Sequence, residues 1–289
     1  MEIELVLDAH AEIGEGPAWD PPSGRLVWVD IAGRLVHFFD PTTGSDRSID
    51  VGQHVGAAAP RASGGLVLAL RGEFGVLDLE SGRVEAIGDT EASNPDNRMN
   101  DGKCDRAGRF WAGSMSYSET GTAGSLYRLD HDHSVVRVLT GVGLSNGLGW
   151  SPDDRLMYHI DSLAGTVYVH DFDAESGTIS NRRPLIEVPK DQGTPDGMTV
   201  DDEGCLWVAF WGGSAVRRYT PDGSLRQEVG LPVRQVSCCA FGGPDQGDLY
   251  ITTAARGLSA RELDQQPAAG GLFRFRPGVT GPPAHAYVD

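Results

Sequence analysis

Lysine is almost missing from this chain of 289 residues: Lys103 and Lys190 are its two examples, and Lys and Arg together number 24 against 41 Asp and Glu. A formal charge of −17 with singly scattered arginines offers no basic stripe, so nucleic acid is excluded as a partner. Long apolar runs and a basic leader are missing as well. Met1-Glu2-Ile3-Glu4-Leu5 opens the chain, so the reading expects no signal peptide, no membrane partner and a cytoplasmic protein. Cys104, Cys205, Cys238 and Cys239 lack C-x-x-C spacing, and adjacent cysteines bridge only with strain, so core thiols are expected. Sustained 3.6-residue periodicity is also lacking, which removes long amphipathic helices. What the chain has in plenty is glycine, 39 residues, and proline, 17, between short alternating apolar and polar segments. That composition suits many tight turns, and with no visible linker it predicts one all-β domain over residues 1–289.

A short register recurs six times: Glu15-Gly-Pro-Ala-Trp19-Asp20, Ala57-Ala-Ala-Pro-Arg-Ala62, Asn100-Asp-Gly-Lys-Cys-Asp105, Asn146-Gly-Leu-Gly-Trp150-Ser151, Asp196-Gly-Met-Thr-Val200-Asp201 and Ser237-Cys-Cys-Ala-Phe241-Gly242. The leading positions lie 42, 43, 46, 50 and 41 residues apart. Each register runs into a turn and a β-rich strand, such as Arg25 to Val29 or Leu206 to Ala209, and most repeats hold a second hairpin. Four strands at a period of about 40–50 residues predict a six-bladed β-propeller with a metal site in its central channel. The segment Met1 to Asp8 supplies a strand to close the ring with the last blade. Equivalent positions of successive blades face one another across the channel, so Glu15, Asn100, Asn146 and Asp196 converge as a hard-cation site. Cys104 fills the place of Trp19, Trp150, Val200 and Phe241, an apolar slot. Trp19, Trp111 and Trp207 read as blade packing.

Further stretches carry a family resemblance: Asn100 through Met115, Ser145-Asn-Gly-Leu-Gly-Trp150, Ile179-Ser-Asn-Arg-Arg183, Pro195-Asp-Gly-Met198, Ser237 through Gly243 and Gln266-Pro-Ala-Ala-Gly-Gly271. From near Glu15 to near Phe275 the chain resembles the regucalcin (senescence marker protein) and gluconolactonase family. The resemblance implies a six-bladed propeller that hydrolyses a sugar lactone with one divalent metal. It further implies Glu15, Asn146 and Asp196 as metal ligands, Asp196 also as the proton-transfer residue, and Arg98 and Asn100 as substrate contacts. The family's further substrate-facing glutamate falls by counting on Ser118, with Glu119 one place beyond, and Glu119 is taken as a third substrate contact.

Carboxylate and amide oxygens without histidine favour Ca²⁺, with Mg²⁺, Mn²⁺, Zn²⁺ or Fe²⁺ open. Such a cation polarises a ring-ester carbonyl and activates water, so the expected activity is a lactonase opening an aldonolactone to the aldonic acid. Two alternatives stay open: a metal-dependent phosphotriesterase or fluorophosphatase, and a non-catalytic calcium-binding regulator. A monomer or weak dimer is expected. Period-2 alternation puts Arg98 on the same side as Asn100, at the channel mouth. Each residue also has a plainer reading: an acid or amide before glycine caps turns, Arg98 is a salt-bridged arginine, and Glu119 is a loop charge. Gly143-Leu144-Ser145-Asn146-Gly147 matches G-x-S-x-G, but a nucleophile elbow needs a following helix, and here Ser151-Pro152-Asp153 and a strand follow.

Overall fold

In a computed structural model, which describes residues 3–289, the alternating segments form six four-stranded antiparallel sheets whose first strands pack against one another in a ring, a six-bladed β-propeller. Blade 1 comprises Gly14–Asp20, Arg25–Asp30, Leu35–Asp40 and Ser45–Asp50. Blade 2 comprises Val55–Pro60, Leu66–Leu70, Glu73–Leu77 and Val84–Asp89, and blade 3 Asn97–Cys104, Phe110–Ser116, Gly124–Leu129 and Val135–Val142. Blade 4 holds Ser145–Trp150, Leu156–Asp161, Thr166–Asp173 and Thr178–Glu187, and blade 5 Thr194–Val200, Leu206–Trp211, Ala215–Tyr219 and Leu225–Gly230. Blade 6 takes Val236–Gly242, Asp248–Thr253 and Leu272–Phe275 from the end of the chain and Glu4–Leu7 from its beginning. Glu4 pairs with Arg274 and Leu5 with Phe273, so the expected closing strand is present and the first and last strands share one sheet. Met1 and Glu2 lie outside the described residues.

The interior is divided into six wedges, one per blade interface. Trp111 and Leu126 of blade 3 meet Leu148 and Met157 of blade 4, and Trp19 and Trp28 of blade 1 meet Tyr250 and Leu272 of blade 6. All four cysteines are free and buried, with Cys104 in its apolar slot. The residue after that slot caps a tryptophan of the next strand. Asp105 accepts Trp111 Nε1 at 2.9 Å and Asp201 accepts Trp207 Nε1 at 2.9 Å, each also taking an arginine. A buried charged hydrogen bond of this kind satisfies both partners where water is absent.

The feature that builds the channel is a bulge repeated in every first strand. Between Met99 and Gly102 the strand has one residue more than its partner between Ser114 and Ala112, and the same excess falls at Glu15/Ala18, Ser145/Leu148, Pro195/Met198, Val55/Ala57 and Val236/Cys238. A bulge bends its strand and re-aims a side chain out of the ladder. It falls on the leading register position in blades 3 to 6 and directly after it in blade 1, where Glu15 still pairs with Val29, and blade 2 needs a correction. In blade 2 Pro60 pairs with Leu66 as Cys104 pairs with Phe110, so the equivalent position is Gly56, not Ala57. A Cβ on Gly56 would lie 2.3 Å from the Asn100 carbonyl oxygen, which explains why no side chain is there.

Two features were not expected. A short α-helix, Ala260–Gln265, is capped by Ser259 and Glu262 in a reciprocal box; at less than two turns it leaves no periodic signal. No helix among the described residues is long and apolar enough to cross a membrane. The C-terminal tail crosses one end of the channel. It is tied to blade 5 by Asp202 N–H to Thr280 O, 2.9 Å, and to blades 2 and 3 by buried Tyr287, whose N–H donates to Pro60 O and whose hydroxyl donates to Asp130 O, both 2.8 Å. Pro282, Pro283 and His285 line the cavity below Lys103, Cys104 and Val200. The tail therefore caps the end of the channel toward which the first strands run.

Candidate metal and substrate site

Buried side chains from different blades come together at the bulges. Glu15, Asn146 and Asp196 are 4–6% exposed, although polar. Hydrogen bonds run from blade to blade and hold them. Asn100 Nδ2 donates to Ser145 O at 3.0 Å, Ser162 Oγ to Pro195 O at 2.7 Å, and Ser237 Oγ to Gly14 O at 2.5 Å. The three acceptors occupy one position, the residue before the leading register position in the next blade, so the staples repeat with the ring.

Asn146 is fixed more tightly. Its Nδ2 donates to Asp196 Oδ1 and, at 3.1 Å, to Ser162 Oγ, which leaves buried Oδ1 with no donor. An unpaired buried acceptor costs about 1–3 kcal/mol. Burial first, then the charges of Asp196 and Asp101, push the Glu15 carboxyl well above the usual range. Burial, then Asp101, does the same for Asp196, against the lowering hydrogen bond from Asn146. Asp101 is also raised by burial, and its Oδ2 has no donor. Mutually repelling carboxylates beside an orphaned amide oxygen form a donor set that fits a hard divalent ion. Among the described residues no three His, Cys, Asp or Glu side chains gather in ligating geometry; the third oxygen of this set belongs to an amide.

Arg98 and Asn100 lie beside this group. Arg98 is 8% exposed, and its Nη1 donates to Met99 O at 3.0 Å and to Asn100 Oδ1 at 2.7 Å. Asn100 thus spends its amide nitrogen on the inter-blade staple and its oxygen on aiming Arg98. Glu119 is exposed, at φ 52°, in the loop after Phe110–Ser116, close enough for its charge to act on Arg98 and Asp196. Ser118 is turned into a hydroxyl ladder with Ser116 and Thr120, each contact 2.9 Å.

The G-x-S-x-G match places Ser145 Oγ 2.8 Å from His159 Nε2. The pair is no nucleophile and base. Both residues are fully buried, and a Cβ on Gly113 would sit 1.9 Å from the serine oxygen, so no substrate approaches it. His159 Nδ1 has no partner, and burial pulls the imidazole down to about 3. Strand follows strand here, as the sequence expected.

Sequence reasoning missed Ser162, Asp101 and Lys103. Lys103 Nζ reaches from blade 3 to Met198 O in blade 5 at 2.7 Å. Alternation from Asn100 marks neither, but Asp101 and Lys103 share one strand face, a signal that was available. Ser162 left none, since it lies just past Leu156–Asp161, outside any register.

Three comparisons place the chain among known proteins. The model of the SMP-30/gluconolactonase/LRE-like region matches residues 13–255. Regucalcin of Danio rerio is 42% identical over 292 residues, covering 100% of this chain and 99% of that protein. A putative sugar lactone lactonase of Bacillus subtilis strain 168, YvrE, is 40% identical over 274 residues and covers 94% of both. The crystal structure of a calcium-binding protein, regucalcin, from Agrobacterium tumefaciens C58 superimposes with a TM-score of 0.94 at 27% identity, over 98% of this chain and 96% of that one.

Proposed function

We propose that this chain, which belongs to the SMP-30/gluconolactonase/LRE-like family, is a divalent-metal-dependent lactonase that opens the ring of an aldonolactone to the aldonic acid. The observation that carries the reading is the orphaned Asn146 Oδ1 beside the buried carboxyls of Glu15 and Asp196. In this reading those three residues hold a divalent ion, Ca²⁺ first among the candidates, which when bound polarises the ester carbonyl and acidifies water. Asp196, whose Oδ1 accepts from Asn146, would take a proton on the oxygen that does not hold the ion. That proton comes from the water whose oxygen bonds to the carbonyl carbon, and it passes to the ring oxygen as the C–O bond breaks. Arg98, aimed by Asn100, donates to the hydroxyls of the sugar, and Glu119 accepts from them at the rim. The buried position of Arg98 strengthens such a contact, because water does not compete. A cytoplasmic monomer or weak dimer acting on a small sugar lactone completes the proposal.

The relatives' names also fit a protein that binds calcium without turnover, and the same three residues serve that role. Catalysis separates the two. Metal-stripped protein, verified by elemental analysis, is expected to lose hydrolysis of an aldonolactone and to regain it on adding a divalent cation. Full activity in the stripped protein would refute metal dependence, and no turnover in the loaded protein, on lactone or on a phosphotriester, would leave the binding protein.

A further inference from the structure

His54 stands in blade 2 where Arg98 stands in blade 3. Each lies two residues before the bulge position, Gly56 and Asn100, so alternation aims both side chains at the channel mouth. His54 Nδ1 lies 2.9 Å from the hydroxyl of Tyr117, and the rings are 5.7 Å apart at 58°. Tyr117 follows Phe110–Ser116, whose Met115 pairs with Arg98, and its N–H donates to Asp96 O at 2.9 Å. At 39% exposure the phenol ring is among the few large apolar surfaces left open, and its other end is pinned by a hydrogen bond between two blades. Burial, then the Arg98 guanidinium, lowers the His54 imidazole, which places the pair beside the proposed substrate arginine. The Tyr117 phenol oxygen in turn lies close enough to act on the Arg98 guanidinium.

We propose that Tyr117, held by His54, is a specificity wall of the channel mouth: a flat aromatic face on which the C–H edges of a hydroxylated lactone ring lie while Arg98 takes its hydroxyls. The wall rests on the lactonase reading above. An aromatic face selects for ring shape and an exposed phenol supplies one further hydrogen bond, so the pair favours a cyclic polyol over a bare lactone. His54 is a positioning residue, acting through the phenol it holds.

The test compares kcat/KM on a hydroxylated aldonolactone and on unsubstituted butyrolactone for the metal-loaded protein and for Y117A, Y117F, H54A and H54Q, alongside calorimetric binding of a non-hydrolysable aldonolactam. In Y117A the ratio of the two kcat/KM values is expected to fall roughly 10-fold, chiefly through KM, the scale of a lost stacking face and a hydrogen bond. Y117F and H54A are expected to fall by roughly 3- to 5-fold, the scale of one weak hydrogen bond, with H54Q restoring the ratio because a carboxamide still holds the phenol. Lactam binding should weaken in the same order. A ratio unchanged within twofold in Y117A, or equal loss on both substrates, overturns the wall. If the wild type hydrolyses neither lactone but Y117A still weakens lactam binding, the lactonase reading falls and the wall stands; if lactam binding is also unchanged, both fall.

Discussion

Blades 4 and 5 share their bulge with blades 2 and 6, yet only the first pair presents oxygens to the proposed metal site. Asn146 and Asp196 stand at the position that Gly56 and Ser237 fill across the ring. At Gly56 the neighbouring Asn100 backbone takes the space of a side chain, and at Ser237 the hydroxyl is spent on Gly14 O and, at 3.0 Å, on Thr252 Oγ1. The bulge is therefore a property of the fold, and the chemistry is a choice made at some of its six copies. A ring offering six equivalent positions can hold a cation with three and use the rest to hold the blades together.

The largest effect that could break this division is on Asp196. Asp196→Asn is expected to lower kcat by at least about 100-fold, since a positioned proton-transfer group contributes 10²–10⁴-fold. Metal content must be measured beside the rate. Near-normal kcat at full occupancy would remove Asp196 from the chemistry, and a fall that tracks occupancy alone would leave it as a ligand.

Arg98 sharpens the comparison within blade 3, where the oxygen of the bulge residue Asn100 accepts from its neighbour Arg98. Arg98→Ala should reduce kcat/KM on a hydroxylated aldonolactone by roughly 10- to 200-fold, the worth of one or two hydrogen bonds from a charged donor. The loss on butyrolactone should be much smaller. Because both substrates present the same ester carbonyl, equal losses would assign Arg98 to structure or to metal support.

The ring, its closure by Glu4–Leu7, and the convergence of Glu15, Asn146 and Asp196 were legible because each follows from a repeat, and a repeat fixes equivalence without knowledge of contacts. The one-residue slip at Ala57 arose where the repeat is least marked. Gly56 has no side chain to signal its place, and Ala57 and Ala58 look alike. Ser162, the tail that caps the channel, and the helix at Ala260–Gln265 lie outside the register. Their places are set by tertiary hydrogen bonds such as Ser162 to Pro195 O and Tyr287 to Asp130 O. The meeting of His54 and Tyr117 needed coordinates for the same reason, since 63 positions separate them in the chain.

On the small-residue side, Gly56→Ala should destabilise the protein by roughly 1–3 kcal/mol, the range for overpacking, because the new methyl meets backbone that cannot swing aside. That backbone belongs to Asn100, so kcat/KM on the hydroxylated lactone should fall with stability. A denaturant midpoint equal to wild type would show that the ring yields at this position.

Ser237→Ala is the mildest change and the cleanest contrast. The hydroxyl donates to Gly14 O, and its removal leaves that buried carbonyl without this donor and takes a partner from Thr252 Oγ1, which keeps a long contact to Cys238 O at 3.5 Å. The cost should be about 1 kcal/mol, read as a lower denaturant midpoint at unchanged m-value. No oxygen of the proposed metal site is lost, so metal content should stay full and kcat within about threefold of wild type, since Gly14 remains held by its pairing with Asp30. If metal affinity instead drops as far as it does on removing the Glu15 carboxylate, then Ser237 is not a staple alone. The division between oxygen-bearing and structural blades would then have to be redrawn to include blade 6.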